Sequence, residues 1–573
     1  MENIIIVECM STGINFIQDI VDRNYHPIVL DTKPVDNEIG RIYAHHKQED
    51  LKLITEEYTL ITEKDSYEET LEMVKKFNPV LILPGTEKGV VLATRLSNDL
   101  NLLGNSYDNI DAMTLKDKMQ ERIREHGLRS IKGQVVHSLE EAIDFYDREN
   151  LKGVVIKPIY SAASSSVKIC LNKEDMINNI KALFEDYNCF GNENTELLIQ
   201  EYIDGDEYIV NTVSSAGKHR VTLVWKYQKV KTSDGSIIYD IMETIDELSI
   251  GEAEMVEYAY NVADAIGIEY GPIHGEYMID ENGPVLVEVN CRPCGGTLES
   301  DFLDRISGQH ETDSILDAYL KPNLFNLHRG RPYRLFAKGV IKDFIVPYDL
   351  EAESTSIYHI SENLESHYKT VFEDINLTGK SFIKTKDLLS SCGLIYLVNE
   401  DYYTLQKEID FLHDVEKNAF ALILSEKSNK NDEDASEESD KDSRVAKYGS
   451  EIKSLIKDVS NHCNVLLVSD EPFDDSSIKQ VNPLEIDTIT GYYDAVIIVI
   501  YDNFQGKNSM EIIEIFLNSI KHVKKGGLFF VPALTYGSLK GARSVIEGLI
   551  KTMKLRIEVP PSHYRDLIVA SKT

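Results

Sequence analysis

Short apolar runs alternate with amphipathic stretches over residues 1–110. Asn3 to Val7 (Asn-Ile-Ile-Ile-Val) reads as a buried strand, a turn follows around Ser11-Thr12-Gly13, and a helical pattern continues to about Arg23. His26 to Asp31 reads as a second strand and Val80 to Leu83 as a third or fourth, the latter preceded by an amphipathic helix over Glu68 to Phe77. Strands alternating with helices imply right-handed crossovers and a parallel sheet, so this part is expected to be a small doubly wound domain. The loop Pro84-Gly85-Thr86-Glu87-Lys88-Gly89 leaves the carboxyl end of a strand, which is where such sheets bind ligands.

The pattern then changes. A helix is expected from Asp111, carrying Lys116, Asp117, Lys118 and Met119 and ending at Gly127. Strand signals at Val135-Val136 and Val154 to Pro158 bracket a helix near Leu139 to Arg148. Leu197 to Ile203, Glu207 to Ser214 and Val221 to Val230 read as strands of antiparallel character, and Glu252 to Ile266 as a helix. Residues 326–425 mix strands and helices, including Gly339 to Val346 and a helix around Tyr403 to His413. Lys427 to Asp442 is acidic and rich in Ser and Asn with almost no apolar side chain, so it cannot bury enough surface to order itself and reads as a linker. Beyond it, strands at Val465 to Val468, Ala495 to Ile500 and Leu528 to Val531, a helix at Met510 to Val523 and a turn at Lys524 to Gly527 make a second α/β unit.

The run Gly275 to Arg292 is the most informative stretch. Tyr277-Met278-Ile279 leads into the turn cluster Asp280-Glu281-Asn282-Gly283-Pro284, and Val285 to Asn290 resumes as a second strand. Side chains alternate along a strand, so Glu288 and Asn290 are expected on one face and Val287 and Val289 on the other, with Glu276 brought alongside by antiparallel pairing and Arg292 further along. Mg2+ takes oxygen ligands, commonly one or two carboxylates together with phosphate oxygens and water, and Glu276, Glu288 and Asn290 are such a set. The same spacing also suits a solvated edge hairpin, so the assignment depends on what lies upstream.

Composition narrows the choices. The 573 residues suffice for about three to five domains. A formal net charge of −36 argues against binding to a nucleic-acid backbone, and an anionic nucleotide would need local cations and a metal to offset that field. No run of about 18 apolar residues and no signal-peptide pattern occurs, so we expect a cytoplasmic chain without a membrane partner. The seven cysteines, Cys9, Cys170, Cys189, Cys291, Cys294, Cys392 and Cys463, are odd in number and scattered, which suits reduced thiols. Cys291 and Cys294 form a C-x-x-C with no second pair or nearby His to complete a zinc set.

Upstream, Lys157 ends a buried strand and precedes Pro158 and the small-residue loop Tyr160-Ser-Ala-Ala-Ser-Ser-Ser-Val167, where backbone amides can approach an anion and the lysine adds a point charge. The strand Leu197-Leu-Ile-Gln-Glu-Tyr-Ile203 offers main-chain groups for an adenine edge, with Glu207 after the turn placed for ribose hydroxyls. In this order, from Lys116/Lys118 through Lys157, Gln200 to Glu207 and Glu276 to Glu288-Val-Asn290, the elements resemble the ATP-grasp superfamily of carboxylate–amine ligases over about residues 1–425. Pro84 to Val90, Gly271-Pro-Ile-His-Gly-Glu276 and Gly283 to Arg292 are similar to the branch containing L-amino-acid ligases.

The resemblance implies a multidomain α/β and α+β architecture: a Rossmann-like pre-ATP-grasp domain (1–110), a two-lobed ATP-grasp fold (small lobe 111–195, large lobe 196–325), a ligase subdomain (326–425), the acidic linker (426–443) and a C-terminal α/β domain (444–573). It implies that Lys118 (or Lys116) and Lys157 contact phosphates, that Ser164, Ser165 and Ser166 cover them, that Gln200, Glu201, Tyr202 and Ile203 line the adenine pocket, and that Glu207 takes the ribose. Lys226 or Lys229 adds a phosphate contact. Glu276, Glu288 and Asn290 bind Mg2+ (or Mn2+), and Arg292 stabilises an acyl phosphate. His274 stands where related enzymes often carry an Arg, which leaves open the cation that meets the reacting carboxylate. The implied chemistry is ADP-forming: ATP phosphorylates a carboxylate and an amine attacks the acyl phosphate, joining amino acids. The alternatives are an ATP-grasp enzyme acting on another carboxylate and a nucleotide-binding regulator without catalysis. The sequence leaves the substrates and the oligomeric state open, and a homodimer is compatible with the resemblance. Residues 444–573 weakly resemble a class I methyltransferase fold through Tyr493-Asp-Ala-Val-Ile and Lys525-Gly-Gly-Leu-Phe-Phe-Val531, but Val465 to Val468 leads into Ser469-Asp-Glu-Pro472 where a glycine-rich loop is expected, so a non-catalytic role is favoured.

Overall fold

The first apolar run becomes the centre of a parallel sheet. β1 (Asn3–Val7), α1 (Asn15–Asp22), β2 (His26–Asp31), α2 (Glu38–Lys52), β3 (Thr59–Thr62), α3 (Tyr67–Lys75), β4 (Pro79–Pro84) and α4 (Val90–Asp99) wind into a four-stranded sheet ordered β3-β2-β1-β4. The winding reverses between β1 and β4, and there the backbones pass so closely that a Cβ on Gly85 would lie 2.4 Å from the Glu8 carbonyl oxygen. α2 and β3 are additions to the sequence-based expectation. Their weak apolar patterning gives little signal: β3 alternates half-buried and exposed residues.

This computed structural model describes residues 1–33, 38–158, 167–185, 194–231, 237–296, 298–346, 349–351, 364–372, 381–382, 384–385, 390–418, 456, 464–469, 478–482, 491–499, 518–519, 521–532, 555–558 and 567–572. They fall into two compact units, Met1–Ile341 with Asp387–Leu389, and Lys342–Lys386 with Ser390–Thr573. Ser161 to Ser166, the acidic stretch Lys427 to Asp442 and most of the helix expected over Met510 to Val523 lie outside the described residues.

After the parallel sheet, the single helix expected from Asp111 is two: α5 (Ile110–Thr114) and α6 (Lys116–Glu125), separated at Leu115, whose φ −105 and ψ 119 are extended. The small lobe follows. β5 (Gly133–Val136), α7 (Leu139–Arg148), β6 (Val154–Pro158), β7 (Lys168–Cys170), α8 (Lys173–Phe184) and β8 (Leu197–Glu201) form an antiparallel sheet ordered β5-β8-β6-β7, with Val136, Phe145, Ile156, Ile180 and Ile199 in the core under the helices.

The large lobe is built from β9 (Asp206–Ser215), β10 (Lys218–Lys231), β11 (Ile237–Thr244), α9 (Ile250–Ile266), β12 (Gly271–Asp280) and β13 (Gly283–Asn290), with strands ordered β13-β12-β9-β10-β11. α9 starts at a Ser249/Glu252 capping box and stops at Gly267, whose φ of 82° a side chain would resist. Its apolar side, with Met255, Ala259, Val262 and Ile266, packs on Tyr208, Val210, Val224 and Tyr277 from one face of the sheet. The other face is left for polar groups. α10 (Ser300–Ser307), α11 (Glu311–Leu320) and α12 (Pro322–Arg329) complete the unit; α11 places Ile315 and Leu316 in a core shared with Phe16 and Ile20 of α1.

The second unit takes over within β14 (Lys338–Asp343) and adds β15 (Leu350–Glu351), β16 (His367–Phe372), β17 (Ser381–Phe382), β18 (Gly393–Asn399) and α13 (Tyr402–Asn418). Its buried Lys342 is paired with Glu416 of α13 at 2.8 Å. A separate sheet of β19 (Val465–Ser469), β20 (Lys479–Val481), β21 (Tyr493–Val499), β22 (Val523–Pro532), β23 (Leu555–Glu558) and β24 (Leu567–Lys572) is ordered β20-β19-β21-β22-β24-β23, with β24 antiparallel to both neighbours. The turn expected at Lys524 to Gly527 is instead inside β22, where the register against β21 jumps from Tyr493↔Val523 to Ala495↔Leu528. The two glycines are absorbed by that irregularity rather than by a chain reversal. Among the described residues no helix is long and apolar enough to cross a membrane.

Candidate active site

The hairpin β12–β13 sets the centre of the site. Its register puts Glu276 directly opposite Glu288 and His274 opposite Asn290, so the four side chains share the face not covered by α9. A register shift then places Tyr277 against Leu286 and leaves Val287 as the extra residue. The expected alternation therefore holds for Val289, which is in the α9 core, but not for Val287, which packs instead beside Ile131, Ile203 and Val285.

Two carboxylates directly opposite one another repel, and cations gather to offset this. Lys116, the first residue of α6, pairs with Glu288. Lys157 at the end of β6 is 7 % exposed; burial and the neighbouring Lys116 lower its ammonium to about 7, opposed by the attraction of Glu276. Burial would raise the Glu276 carboxyl, but His274, Lys116 and Arg292 outweigh it and hold the group well below the usual carboxylate range. Asn290 Nδ2 donates to Glu288 Oε1 at 3.4 Å, so in this arrangement the amide nitrogen rather than the oxygen faces the carboxylate.

His274 is buried, and its Nδ1 is 2.9 Å from Asn211 Oδ1 while Nε2 stands 3.8 Å from Glu276 Oε1. Burial lowers its pKa, Glu276 opposes, and Arg292 adds to the lowering. With Nδ1 engaged by the Asn211 amide oxygen, the ring is fixed so that Nε2 faces Glu276. Arg292 anchors itself through Nη1 to the Pro293 carbonyl at 2.9 Å and lies 3.7 Å from Glu87 of the β4–α4 loop. Burial raises the Glu87 carboxyl, with Arg292 and Lys116 pulling it down.

The remaining positions sort by strand face. Gln200 is buried on β8; Glu201 accepts the Lys132 N–H at 2.8 Å, and the Tyr202 amide donates to the Gly153 carbonyl at 3.0 Å. Ile203 joins the apolar group that bridges the small lobe to Val285 and Met278. Glu207 faces the same side as Glu276 through its register with Met278, and there it pairs with Lys229 and accepts from the Tyr239 hydroxyl at 3.3 Å. Lys229 also lies over the Tyr239 ring.

Two expected phosphate lysines are not at the site. Lys118 is exposed and pairs with Glu121 at 2.8 Å along α6, because the break at Leu115 turns Lys116, not Lys118, toward β13. Lys226 is opposite Tyr208 on the face that α9 covers, bonded to Asp206 at 2.7 Å; Lys229, three residues further along β10, falls on the open face by strand alternation. Ser164, Ser165 and Ser166 lie outside the described residues.

Residues 151–301, which span this hairpin and most of both lobes, match the ATP-grasp domain family. The chain carries an ATP-grasp domain. Dapdiamide A synthase of Enterobacter agglomerans is 26% identical over 370 residues, covering 64% of this chain and 85% of that one. The carbamoyl phosphate synthase large chain of Clostridium botulinum (strain Eklund 17B / Type B) is 24% identical over 231 residues, 39% of this chain and only 21% of that much longer protein. The crystal structure of an L-amino acid ligase from Bacillus licheniformis superposes with a TM-score of 0.53 at 15% identity, over 72% of this chain and 97% of that one, and supports the fold.

The fold also brings to this region residues that the sequence did not single out. Glu87 sits in a loop flagged as a ligand position, so a signal existed. Asn211 is a buried amide within the apolar run of β9, and an unexplained polar residue in such a run marks a site. Tyr227 of β10, close to Glu276, Tyr239 and Glu207 and with its hydroxyl pKa raised by burial, reads in sequence as one more strand aromatic. Glu311 reads as an ordinary acidic residue of a first helical turn.

Proposed function

We propose that this chain is an ADP-forming carboxylate–amine ligase that makes an amide or peptide bond through an acyl phosphate, joining amino acids. The observation that carries the reading is the facing pair Glu276 and Glu288 with Asn290 beside them, ringed by Lys116, Lys157 and Arg292. The ATP-grasp match and the names borne by the relatives point the same way.

The oxygen donor set suits a hard divalent cation, and opposed carboxylates are stabilised by one, so Glu276, Glu288 and Asn290 are proposed to hold Mg2+, with Mn2+ as a substitute. Such an ion, when bound, neutralises charge on the phosphates. Lys157 and Lys116 meet phosphate oxygens; Lys229 is placed for a further contact once Glu207 turns to the ribose. Ile203, Val285 and Met278 offer the apolar walls for an adenine, beside Gln200, Glu201 and Tyr202. A substrate carboxylate oxygen attacks the γ-phosphorus, the bond to the β-phosphate oxygen breaks, and ADP leaves. The amine then attacks the acyl carbon, loses a proton, and phosphate departs. Arg292 offsets charge on the acyl phosphate, and no side-chain nucleophile is required. His274, fixed by Asn211, stands beside Glu276 where an arginine would supply a permanent cation.

A homodimer is part of this proposal, as is a cytoplasmic setting, and no chemical step is assigned to residues 444–573. The test is phosphate release from ATP over a panel of amino acids with mass detection of products. Turnover that requires amino acids, with a product of the mass of their condensate, supports the ligase; nucleotide binding without turnover across the panel refutes it.

A further inference from the structure

Beyond Arg292 lies a buried carboxylate with one oxygen unused. Glu311, the first residue of α11, is 4 % exposed; its Oε2 accepts the Cys294 N–H at 3.0 Å, and its Oε1 has no partner. It borders a small cavity of about 10 Å3, room for one water-sized group, lined also by Asn211, Leu223, Leu298, Ser307 and Gln309. A buried carboxylate left half-satisfied is costly, and the cost is offset when a cationic group meets it. Burial pushes the Glu311 carboxyl up to about 7, against the pull of the Cys294 amide and Arg292, so the group has much to gain from such a partner.

The cavity is tied to the reaction centre on two sides. Asn211, one of its walls, is bonded to His274. More tellingly, Arg292 and Glu311 grip the two ends of one peptide group: Arg292 donates to the Pro293 carbonyl at 2.9 Å, and Glu311 accepts from the Cys294 N–H at 3.0 Å. Two hydrogen bonds across a planar peptide hold a guanidinium and a carboxylate at most roughly 8 Å apart. An α-amino acid that offers its carboxylate to one and its ammonium to the other through charge-assisted bonds of about 2.8 Å spans a similar distance.

We propose that Glu311 and this cavity are the subsite for the α-ammonium group of the amino acid whose carboxylate is activated beside Arg292. The inference rests on the ligase reading and deepens it: the carboxylate substrate is an α-amino acid recognised as a zwitterion, and a plain carboxylic acid is discriminated against.

The test uses the full chain. Phosphate release is measured for an amino acid that the panel identifies as a carboxylate substrate and for its desamino analogue, with the wild type, Glu311→Gln and Leu223→Phe, the last filling the cavity while leaving the carboxylate in place. Glu311→Gln keeps the shape of the side chain, and its melting temperature and Mg·ADP affinity report that the fold and nucleotide site are intact. The wild type is expected to prefer the amino acid by at least about tenfold in kcat/KM, the loss typical of an unmet charged hydrogen bond. Both variants are expected to raise KM for the amino acid by about tenfold or more while leaving KM for ATP and for the analogue within about twofold. Equal use of amino acid and analogue by the wild type overturns the subsite without need of a variant. So does a parallel loss with both substrates, which marks Glu311 as merely holding the Cys294 turn. Absence of phosphate release by the wild type with every amino acid of the panel overturns the ligase reading itself, and the subsite with it.

Discussion

Replacing Glu288 by Gln separates holding the fold from holding a metal nucleotide. Without ligand, the change removes a repulsion with the directly opposed Glu276, worth about 0.2–1 kcal/mol, and a pairing with Lys116. That pair is partly open to solvent, at 26% and 18%, so it is worth about 0–1 kcal/mol. The two nearly cancel, and the ligand-free variant should melt close to the wild type. With Mg·ADP at about 100 times its Kd, the wild type gains about 2.7 kcal/mol. Loss of a metal ligand should weaken binding by at least the hundredfold that even outer partners of a metal can cost, which leaves the variant about 0.4 kcal/mol. The first unit has about 340 residues, and at about 2.1 cal/mol/K per residue its unfolding entropy is about 0.7 kcal/mol/K. The wild type should therefore rise by about 4 °C and Glu288→Gln by under about 1 °C, read as the first-unit transition in scanning calorimetry with and without Mg·ADP. An equal ligand-induced rise in both proteins would falsify the metal assignment. A ligand-free drop of several degrees would show instead that Glu288 is a structural residue.

Three further outcomes follow from the geometry. Lys229→Ala should raise KM for ATP by about tenfold, the scale of one charged hydrogen bond, whereas Lys226→Ala should leave it within about twofold; steady-state kinetics with the order reversed would place the wrong lysine at the phosphates. In Gly85→Ala the new Cβ would lie 2.4 Å from the Glu8 carbonyl oxygen, so the loop carrying Glu87 must move; a melting curve should show a loss of about 1–3 kcal/mol with reduced turnover, and an unchanged enzyme would contradict the packing. His310 is held between Asp19 and Asp304 at 2.9 Å each, and these bonds outweigh burial and raise its pKa to about 10. Because the folded value exceeds the unfolded one, its contribution is full below about pH 6.5 and is lost as pH rises toward 10, so His310→Gln should flatten that part of the stability profile by on the order of 3 kcal/mol. Parallel wild-type and variant profiles in denaturant melts would refute the clasp.

What could be read from the chain and what could not divides along a physical line. That Glu288 and Asn290 share a face follows from a period of two, which is local, so the sequence carries it; that Glu276 stands opposite Glu288 depends on the extra residue Val287, since in unbroken register Glu276 would face Val287. The choice between Lys116 and Lys118 depends on the break at Leu115, and that between Lys226 and Lys229, which lie on opposite faces of β10, on which face α9 covers. Composition offers no handle on either choice, because both members of each pair are lysines. The glycines at 526 and 527 mislead for a related reason: a bulge and a turn use the same residues, and only the partner strand decides.

Glu311 marks the further limit. In sequence it is an acidic residue at a helix start, where a carboxylate is ordinarily stabilised by the helix dipole and by water. In the fold, α11 is pressed against α1 and the turn after β13, so water is removed and only one oxygen is met by a backbone amide. Its meaning comes from what three distant segments exclude rather than from what its own neighbours in sequence prefer. The proposed catalytic face is thus written twice: in β12 and β13 by periodicity and one extra residue at Val287, the first of which a reader of the sequence can follow, and around Arg292 by the assembly of β9, α11 and the Pro293 turn, which only the fold supplies. The second layer is also where substrate choice is to be expected, since the hairpin and its lysines serve a nucleotide shared by many reactions, whereas a carboxylate set across one peptide group from Arg292 can distinguish an amino acid from any other acid.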